Sequence, residues 1–383
     1  MNEIKNLNKV ASRIIKAINN QERIILYGDA DLDGVAAIII LKESLKNLGG
    51  GISALYFPDR EIEGYGITEK GLNCLKKITP ALLIALDLGI GNFKEVKLAK
   101  KLGFEVIIID HHEVLDKLPK ASIIVDPKQK GDESPFKELA TAGILFKLSE
   151  LLLKDRMTES LKRNFLELTA LATIADMMPQ ESDNKNFIEE GIKTIEDSWR
   201  PGISTFFKEK DLHSYSNLNQ KISKIISLLN VRDIEDNLPA SFRLLDASSS
   251  EESKKIIGKL IEKNRFRREK IGEILETIEK RLKTKEENII FEGDARWDFT
   301  LISSVASILC PRYQKPSFIF KVLEEESQGT VRTPRGIDSV ALMKKCKKYL
   351  LTYGGHPRAA GFRIKNGNLE KFKNCLMKNL EKR

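Results

Sequence analysis

The chain has 383 residues, of which 41% are hydrophobic and 31% are charged, and its formal net charge is +9. This composition argues against a disordered chain, and no apolar run approaches the roughly 18 residues that a membrane-spanning helix needs. The N-terminal residues also lack the basic and then apolar pattern of a signal peptide. We therefore expect a cytoplasmic protein without a membrane partner.

The charge is distributed unevenly along the chain. Residues 1–200 contain 28 Lys and Arg against 31 Asp and Glu, whereas residues 201–383 contain 36 against 24. The first half is therefore suited to hold a metal ion and the second half a polyanion. A basic surface that only keeps the protein in solution explains the charge equally well.

The four cysteines show no metal-binding spacing. They are Cys74, Cys310, Cys346 and Cys375. We expect all four to be reduced thiols, either buried in the core or exposed at the surface.

The first part of the chain alternates predicted helices with short apolar strands. Residues 1–20 predict one helix, and residues 34–50, which end in glycines, predict another. Five apolar runs predict strands, at residues 24–27, 52–57, 81–87, 104–110 and 121–126. Such alternation is typical of a mostly parallel sheet with helices on both faces.

Acidic residues lie at the predicted carboxyl ends of these strands. The segment GDADLDG at 28–34 follows the first strand, and each of the last three strands ends in aspartate. Open parallel sheets bind ligands outside the carboxyl ends of their strands. This geometry gathers four carboxylates at one edge, those of Asp31, Asp33, Asp87 and Asp110.

The spacing of the aspartates in GDADLDG also matches the start of an EF-hand calcium loop. Such a loop requires glutamate at its twelfth position, which is Ile40 when Asp29 is counted as the first. It also requires a preceding helix, whereas a predicted strand precedes Asp29. Both conditions fail, so a different ligand must explain the carboxylates.

The rest of the chain is predicted to be helical first and mixed afterwards. Helices cover residues 140–200, and an apolar helix that stops at Pro179 contains one carboxylate, Asp176. A charge there is costly unless it is paired or bound to metal. We divide the chain into a first domain at 1–245, a linker helix at 246–287 and a smaller α/β domain at 288–383. The first domain is helical from about residue 140. The linker helix contains the basic segment KNRFRREK.

Two adjacent histidines, His111 and His112, follow the strand that ends at Asp110. Histidine with carboxylate suits manganese, zinc or iron, whereas carboxylate and water alone suit magnesium or calcium. One imidazole among several aspartates points to two manganese ions, with magnesium as a weaker substitute, and such ions activate water and stabilise charge on a phosphoryl group. Each motif alone has a simpler explanation, since Asp110 could cap a helix, Asp87 could begin a turn and Asp176 could be a paired core acid.

Together and in this order, the motifs resemble the DHH phosphoesterase superfamily, and most closely its RecJ-like branch of single-strand-specific exonucleases. The four motifs are GDADLDG, ALDLGIGN at 85–92, DHH at 110–112 and LATIADMMPQ at 171–180. GTVRT at 329–333 and GGHPRAAGF at 354–362 resemble the DHHA1 domain. The resemblance covers nearly the whole chain and implies a mostly parallel-sheet DHH domain joined by a long helix to a smaller α/β DHHA1 domain.

The resemblance also implies roles for residues of the first domain. The implied metal ligands are Asp29, Asp31, Asp33, Asp87, His111 and Asp176. Asp110 is expected to orient a histidine, and His112 to hold phosphate or orient a ligand.

For the second domain, the resemblance implies that Arg332 grips a phosphate in bidentate fashion, with Thr330 and Thr333 as neighbouring candidates. His356 and the backbone amides of its two preceding glycines are expected to hold the phosphate next to the scissile bond. Those glycines are Gly354 and Gly355.

Three features depart from the family pattern. Tyr27 stands where many DHH phosphatases carry a histidine, so we expect one ion to be held loosely. SKIISLLNVRD at 223–233 replaces an arginine-rich loop, and Lys224, Asn230 or Arg232 are candidate substitutes, as is Arg268 on the linker helix for a substrate contact. The resemblance does not extend to the OB-fold of bacterial relatives, which we expect to be absent.

The resemblance implies a metal-dependent exonuclease that removes nucleotides from an end of single-stranded DNA, in the 5′ to 3′ direction, in repair, recombination or replication. One alternative is an enzyme that degrades short RNA or dinucleotides. A second is a replication-complex scaffold without activity, which the intact ligand set disfavours. DNA is favoured over RNA, a replication or repair protein is a candidate partner, and both a monomer and a dimer are compatible with the sequence.

Overall fold

The structure is a computed structural model that describes residues 3–60, 62–114, 117–209, 215–283 and 287–381, except for the side chain of His356. The chain divides into two compact units, Met1–Ile261 and Glu262–Arg383, called unit 1 and unit 2 below. The division falls within a single helix, Ser250–Leu282, which corresponds to the predicted linker helix. No helix in the described ranges is both long enough and apolar enough to cross a membrane.

Unit 1 contains a five-stranded sheet whose strand order is β2-β1-β3-β4-β5. The strands are Ile24–Gly28 (β1), Ala54–Tyr56 (β2), Ala81–Leu86 (β3), Phe104–Ile109 (β4) and Ile123–Val125 (β5). Every neighbouring pair is parallel. The order changes direction between β1 and β3, and open sheets of this kind bind ligands at such a switch point. The predicted parallel sheet is thus confirmed, and its ligand-binding edge lies where the acidic segments follow the strands.

The helices of unit 1 cover both faces of the sheet. They are Leu7–Asn19 (α1), Leu32–Asn47 (α2), Glu69–Leu75 (α3), Phe93–Lys101 (α4), Thr141–Leu153 (α5), Glu159–Ala175 (α6), Ser182–Lys193 (α7), Pro201–Lys208 (α8), Leu218–Leu229 (α9) and Ala240–Leu245 (α10). A two-residue hairpin pairs Ile234–Glu235 (β6) with Leu238–Pro239 (β7).

All five residues of β1 are buried, because successive side chains enter different layers. Ile24 and Leu26 belong to the core cluster that includes α1, α2, α5 and α6. Ile25 and Tyr27 belong to the cluster formed with α3 and α4 on the opposite face. This two-sided burial explains why the strands are continuous apolar runs rather than alternating ones.

The helix that precedes Asp176 ends earlier than the sequence predicts. We expected it to run to Pro179, with Asp176 inside it, but α6 stops at Ala175 and Asp176 is its C-terminal capping residue. Met177 then takes a left-handed backbone conformation, with φ of 56°. A residue of this kind ends a helix. Asp176 therefore projects from a helix end instead of lying within an apolar helix.

Unit 2 contains a second five-stranded sheet, of order β11-β12-β10-β9-β8. Its strands are Ile290–Asp294 (β8), Ser317–Val322 (β9), Glu326–Arg332 (β10), Leu350–His356 (β11) and Ala359–Lys365 (β12). Only β8 and β9 pair in parallel. The helices are the C-terminal part of Ser250–Leu282 (α11), Phe299–Tyr313 (α12), Ser339–Lys345 (α13) and Leu369–Glu381 (α14). Unit 2 is thus the smaller α/β unit that the sequence predicts.

One expectation about the cysteines is wrong. Cys346 and Cys375 form a disulfide with Cα atoms 6.0 Å apart, whereas Cys74 and Cys310 are free thiols. Cys346 follows α13 and Cys375 lies on α14, and both belong to the same apolar core as Phe372. The two residues are 29 positions apart in the sequence. Only the packing of α13 beside α14 brings them together, so their spacing carried no signal.

Candidate metal centre

Five aspartates of unit 1 converge at the carboxyl edge of its sheet, and we call this group the acid edge. Its members are Asp29, Asp31, Asp33, Asp87 and Asp176. The first three lie at the junction of β1 with α2, and Asp87 directly follows β3. Asp110, His111 and His112 follow β4, the next strand along the sheet. The structure therefore brings the predicted ligands of unit 1 to one place.

Local backbone geometry aims the carboxylates of the first motif. Asp31 caps α2, and its Oδ1 accepts a hydrogen bond from the amide of Gly34 at 3.1 Å. Asp29 accepts from the amide of Ala30 at 2.7 Å. Gly34 passes so close to the backbone of Asp29 that a Cβ would lie 2.4 Å from its carbonyl oxygen. The glycine of this motif is therefore required for the turn that presents the aspartates.

Asp33 is held by a second segment of the chain, the start of α5. Its two carboxylate oxygens accept hydrogen bonds from the amides of Thr141, at 2.7 Å, and Ala142, at 2.8 Å. The Thr141 hydroxyl donates to Asp87 Oδ1 at 3.0 Å. Thr141 thus orients two of the acids, and the sequence analysis missed it. A threonine that begins a helix is a common capping signal, so nothing in the sequence singled it out.

His111 faces the acid edge through its Nε2 atom. This nitrogen lies 3.4 Å from Asp87 Oδ1, 3.4 Å from Asp176 Oδ2 and 3.8 Å from Asp33 Oδ2. Its Nδ1 atom is buried and has no hydrogen-bond partner among the described residues. Burial, and the nearby charge on His112, lower the pKa of His111 to about 4. The imidazole is therefore neutral at pH 7, which is the form that binds a metal ion.

His112 has a different environment from His111. Its Nδ1 lies 2.7 Å from Asp110 Oδ1, and this hydrogen bond raises the pKa of His112 to about 9. Asp110 also accepts from the amides of Ile90 and His111. Burial acts to raise the pKa of Asp110, but its contact with His112 brings it below the ordinary value. The pair therefore places a protonated, half-exposed imidazole beside the acid edge.

Four of the five acids carry raised pKa values, because burial and nearby carboxylates disfavour their ionised forms; these are Asp29, Asp33, Asp87 and Asp176. Burial, and then the charge of Asp176, raise the pKa of Asp33 to about 8. Burial and the charge of Asp33 raise the pKa of Asp87 well above its ordinary value. Burial, and then the charge of Asp31, raise the pKa of Asp176 to about 6. A bound cation would offset the repulsion between these acids and lower their pKa values, since it favours the ionised form of each one.

Arg60 is a second residue that the sequence analysis missed. Its guanidinium contacts both oxygens of Asp29, at 2.6 Å each, and Asp31 Oδ2 at 2.7 Å. Burial acts to raise the pKa of Asp31, but the Arg60 charge holds it below the ordinary value. Arg60 follows β2, which borders β1 in the sheet. Its place beyond the end of a predicted strand was a usable signal, because the rule that gathers the acids applies to every strand of the sheet.

The side chain of Tyr27 turns away from the acids. Its hydroxyl accepts from the amide of Thr68 at 3.1 Å, in the layer on the other face of the sheet. Three groups of possible ligands have donor atoms within 4.8 Å of one another. They are Asp29 with Asp31 and Asp87, Asp33 with His111 and Asp176, and Asp87 with His111 and His112. The shared members Asp87 and His111 make the groups contiguous, and carboxylate oxygen with one imidazole nitrogen suits a divalent ion.

The predicted substrate contacts lie mostly in unit 2. Arg332 donates to Ser303 Oγ at 2.6 Å, to Ser307 Oγ at 3.1 Å and to Thr330 Oγ1 at 3.0 Å. Thr333 is buried, and its hydroxyl donates to the carbonyl oxygens of Ile337 and Pro357. The Thr333 side chain therefore supports its own loop and has no proton left for a ligand.

The remaining candidates differ in what the structure says of them. Gly354 and Gly355 are exposed in β11, and Gly355 has φ of 133°, a conformation that disfavours a side chain. The side chain of His356, the next residue, lies outside the described part of the structure. Arg268 is exposed on α11, and Lys224 is half-buried on α9 in unit 1. A substrate contact by any of these residues therefore stays a prediction.

Comparison with known proteins relates both units to described domains. Residues 23–173 match the DHH family, N-terminal domain, and residues 286–382 match the DHHA1 domain. The chain is 33% identical to the single-stranded-DNA-specific exonuclease RecJ of Bacillus subtilis, over 95% of this chain and 46% of that protein. It is 28% identical to the RecJ of Thermus thermophilus, over 97% of this chain and 54% of that protein. The chain thus spans about half the length of these relatives.

Solved structures agree with the sequence relatives. An exonuclease RecJ crystallised with manganese superposes with a TM-score of 0.80 at 26% identity, covering 98% of this chain and 94% of that one. RecJ from Thermus thermophilus in complex with Mn2+ gives a TM-score of 0.83 at 23% identity, covering 99% of this chain and 55% of that one. Because the identity to the Thermus thermophilus structure is only 23%, this second similarity shows a shared fold and nothing more.

Proposed function

The chain is a DHH–DHHA1 protein, and on this basis we propose that it is a metal-dependent exonuclease that hydrolyses phosphodiester bonds from an end of single-stranded DNA. The observation that carries the proposal is the convergence of five carboxylates and one neutral imidazole at the switch point of a parallel sheet. The names of the relatives support the substrate, since those proteins are single-stranded-DNA-specific exonucleases.

The acid edge fits divalent cations on its own chemistry. Burial and neighbouring carboxylates raise the pKa of Asp33 and Asp87, and His111 Nε2 lies within 3.8 Å of three of the acids. We assign Asp29, Asp31, Asp33, Asp87, His111 and Asp176 as the ligands, manganese as the ion and magnesium as its substitute. Such ions lower the pKa of a bound water and stabilise negative charge on phosphoryl oxygens.

The residues around the ligands fix their orientation. The amides of Thr141 and Ala142 hold both oxygens of Asp33, and the Thr141 hydroxyl holds Asp87. The hydrogen bond to Asp110 raises the pKa of His112, which suits this imidazole to donate a hydrogen bond to a phosphate oxygen. These contacts come from the chain's own amides and side chains, and ligands fixed in this way need little reorganisation at the moment of reaction.

Arg332 is the proposed phosphate contact of unit 2. It is half-buried, and its hydrogen-bond partners are hydroxyl groups and one carbonyl oxygen, so its charge is not neutralised by a carboxylate in the described part of the chain. One N–H donor of Arg332 remains outside these contacts, and a guanidinium without a carboxylate partner favours a phosphate as its acceptor. If the protein binds a single strand mainly through its phosphates, the affinity should depend weakly on base sequence and strongly on salt concentration.

The proposal is tested with single-stranded DNA and RNA labelled at either end, with Mn2+, Mg2+ or a chelator. We expect stepwise shortening of the DNA from its 5′ end with Mn2+, slower shortening with Mg2+ and none with the chelator. Closed circular single strands should resist cutting. Efficient cutting of the circle, or full activity with the chelator, would contradict the proposal.

Two results of the same assay would favour the other candidate functions. Cleavage confined to dinucleotides or short RNA would indicate a phosphodiesterase for short RNA. Binding of ions without hydrolysis of any substrate would indicate a scaffold. Cytoplasmic location, a protein partner and the oligomeric state stay predictions of the sequence.

A further inference from the structure

An arginine occupies a position of α11 where an apolar residue is expected. Ile274 and Ile278 on this helix are buried in a cluster with Ile302 of α12, and Ile271 packs against that cluster. Arg267 lies one turn before Ile271 on the same face, because residues four apart share a helix face. Its guanidinium donates to Ser304 Oγ at 2.9 Å. The apolar stripe between the two helices therefore ends in a polar contact.

Arg267 and Arg332 contact adjacent residues of α12. Arg332 donates to Ser303 at 2.6 Å, and Arg267 donates to Ser304 at 2.9 Å. Among the residues that the structure describes, neither guanidinium has a carboxylate partner. Other arginines of unit 2 do have one, as in the contacts of Arg281 and Arg363 with acids. In the described part of the chain, the charges of Arg267 and Arg332 are therefore not offset by an acid, unlike those of Arg281 and Arg363.

The hydroxyl groups of Ser303 and Ser304 also keep their capacity to donate a hydrogen bond. Each accepts a hydrogen bond from an arginine, and a hydroxyl that accepts still carries one proton to donate. The Ser307 proton is already engaged with the carbonyl oxygen of Ser303 at 2.9 Å. The Ser303 and Ser304 hydroxyls donate to no other group in the ranges described here. Two guanidinium groups and two O–H donors therefore lie on or against neighbouring residues, and a phosphate oxygen is an acceptor that suits all of them.

We propose that Arg267, Ser303 and Ser304 form a phosphate-binding subsite beside Arg332, which holds the neighbouring phosphodiester of the same single strand. This subsite rests on the proposed function and adds to it, because it assigns a second phosphate contact to unit 2. Arg267 and Arg332 contact consecutive residues of α12, whose Cα atoms are about 3.8 Å apart.

The surface around Arg267 suits the same ligand. Arg265 and Arg268 are exposed on α11, and so is Phe266, with 61% of its surface accessible. The ammonium group of Lys270 lies over the Phe266 ring at 5.6 Å. Positive charge beside an exposed aromatic ring is the usual surface for a single strand, whose bases stack and whose phosphates attract arginine.

The test uses the full chain with chelator present, so that the strand is bound but not cut. Binding of a dinucleotide and of a longer oligothymidylate is measured by fluorescence anisotropy across a salt series. We compare wild type with Arg267→Ala, Arg267→Lys and Ser304→Ala. The control is Arg296→Ala, which removes the same charge from unit 2 at a side chain that is 80% exposed and paired with Asp294.

For the longer strand, Arg267→Ala should weaken binding by about tenfold or more, because it removes a charge-assisted phosphate contact. The slope of log affinity against log salt should fall by roughly 0.7, the value for one phosphate of a single strand. Arg267→Lys should keep the slope and lose part of the affinity, and Ser304→Ala should lose a few-fold. Dinucleotide binding and the Arg296→Ala control should stay at wild-type levels.

The outcomes separate this inference from the proposed function. If wild type binds and cuts single strands but the Arg267 and Ser304 variants match it in affinity and slope, the subsite is wrong and the exonuclease proposal stands. An equal loss in Arg296→Ala would also overturn the subsite, since it would indicate a general charge effect. If wild type neither binds nor cuts single strands, both fail. An unchanged melting temperature shows that a variant is folded. If Arg267→Ala does not fold, Arg267→Lys and Ser304→Ala still test the subsite.

Discussion

The acid edge of unit 1 and the arginine pair of unit 2, Arg267 with Arg332, present opposite electrostatic problems. At the acid edge, five carboxylates face two cationic side chains, Arg60 and His112. At the arginine pair, two guanidinium groups contact neutral hydroxyls. Among the described residues, each region thus holds more charge of one sign than its neighbours offset. The comparison indicates what each region binds, which is cations in unit 1 and phosphate in unit 2.

The two regions also differ in how they are held. Backbone amides fix the acid edge, as the contacts of Asp33 with Thr141 and Ala142 show. Flexible side chains with rotatable hydroxyls hold the arginine pair. Metal ions need ligands at fixed distances, whereas a moving strand needs contacts that can be remade at each step. We therefore expect substitutions at the acid edge to have larger effects than substitutions at the arginine pair.

Replacement of a metal ligand should give the largest effect. Asp33→Asn keeps the size of the side chain but removes its negative charge, so we expect a loss of hydrolysis of at least about a thousandfold. The measurement is the rate of release of end label from single-stranded DNA with Mn2+. Asp197→Asn, at an exposed acid, is the matched control. Retention of a tenth of the wild-type rate by Asp33→Asn would remove Asp33 from the ligand set.

Removal of the phosphate contact should have a smaller effect and a different kinetic form. Arg332→Ala should raise KM by about ten- to a hundredfold, in line with about 1.5–3 kcal/mol for a hydrogen bond to a charged group. Binding of Mn2+, followed by calorimetry, should not change. If KM and kcat both match wild type, unit 2 does not bind the substrate through Arg332.

Thr141 offers a milder change at the acid edge itself. Thr141→Val keeps the shape but removes the hydroxyl that orients Asp87, so Mn2+ affinity should fall by about tenfold. Thr141→Ser keeps the hydroxyl and should recover most of the affinity. Electron paramagnetic resonance of free Mn2+ measures both without any substrate. Equal affinities for the valine and serine variants would show that the hydroxyl has no such role.

The smallest expected effect is a dependence of stability on pH. The pKa values of Asp33 and Asp176, about 8 and about 6, lie above the ordinary value, so the folded chain holds protons that the unfolded chain has released. Without ions, stability from these groups is therefore lost as pH rises from near 4 through 6 to 8. Manganese requires the ionised forms, so its affinity rises over the same range.

The rise in melting temperature on adding Mn2+ should accordingly grow by a few degrees between about pH 5.5 and about pH 8.5. Differential scanning fluorimetry measures it at fixed ionic strength. Asp33→Asn should lose most of this growth, because its amide does not titrate in the range. A stabilisation by Mn2+ that is the same at both pH values would show that the acids are already ionised in the metal-free protein.

Several features could be read from the sequence because their signals are local. The runs that became β1 and β3 are apolar, and β4 is apolar except for Glu105, which is the pattern of strands buried on both faces. The acids directly follow these strands, so a parallel sheet must gather them at one edge. This rule gathers Asp31, Asp33, Asp87 and Asp110, whereas the full set of candidate ligands is what the family resemblance implies.

Other features were missed because their partners are distant in the sequence. No period or motif marks Thr141, and Arg60 has only its place beyond β2 as a signal, so the contacts of both with the acids depend on the fold. Cys346 and Cys375 were expected to be reduced thiols, but α13 and α14 pack so that the two sulfur atoms meet. The length of α6 was overestimated because apolar periodicity does not reveal the left-handed turn at Met177.

The sequence by itself therefore determined the layered sheet of unit 1, the edge at which its acids meet and the chemical class of ion that suits them. Tertiary structure decided which cation faces Asp29 and Asp31, which hydroxyl orients Asp87 and which serine accepts from Arg267. The reason is physical. Periodicity and strand ends are encoded by neighbours along the chain, whereas charge compensation depends on groups that only packing brings within hydrogen-bond distance.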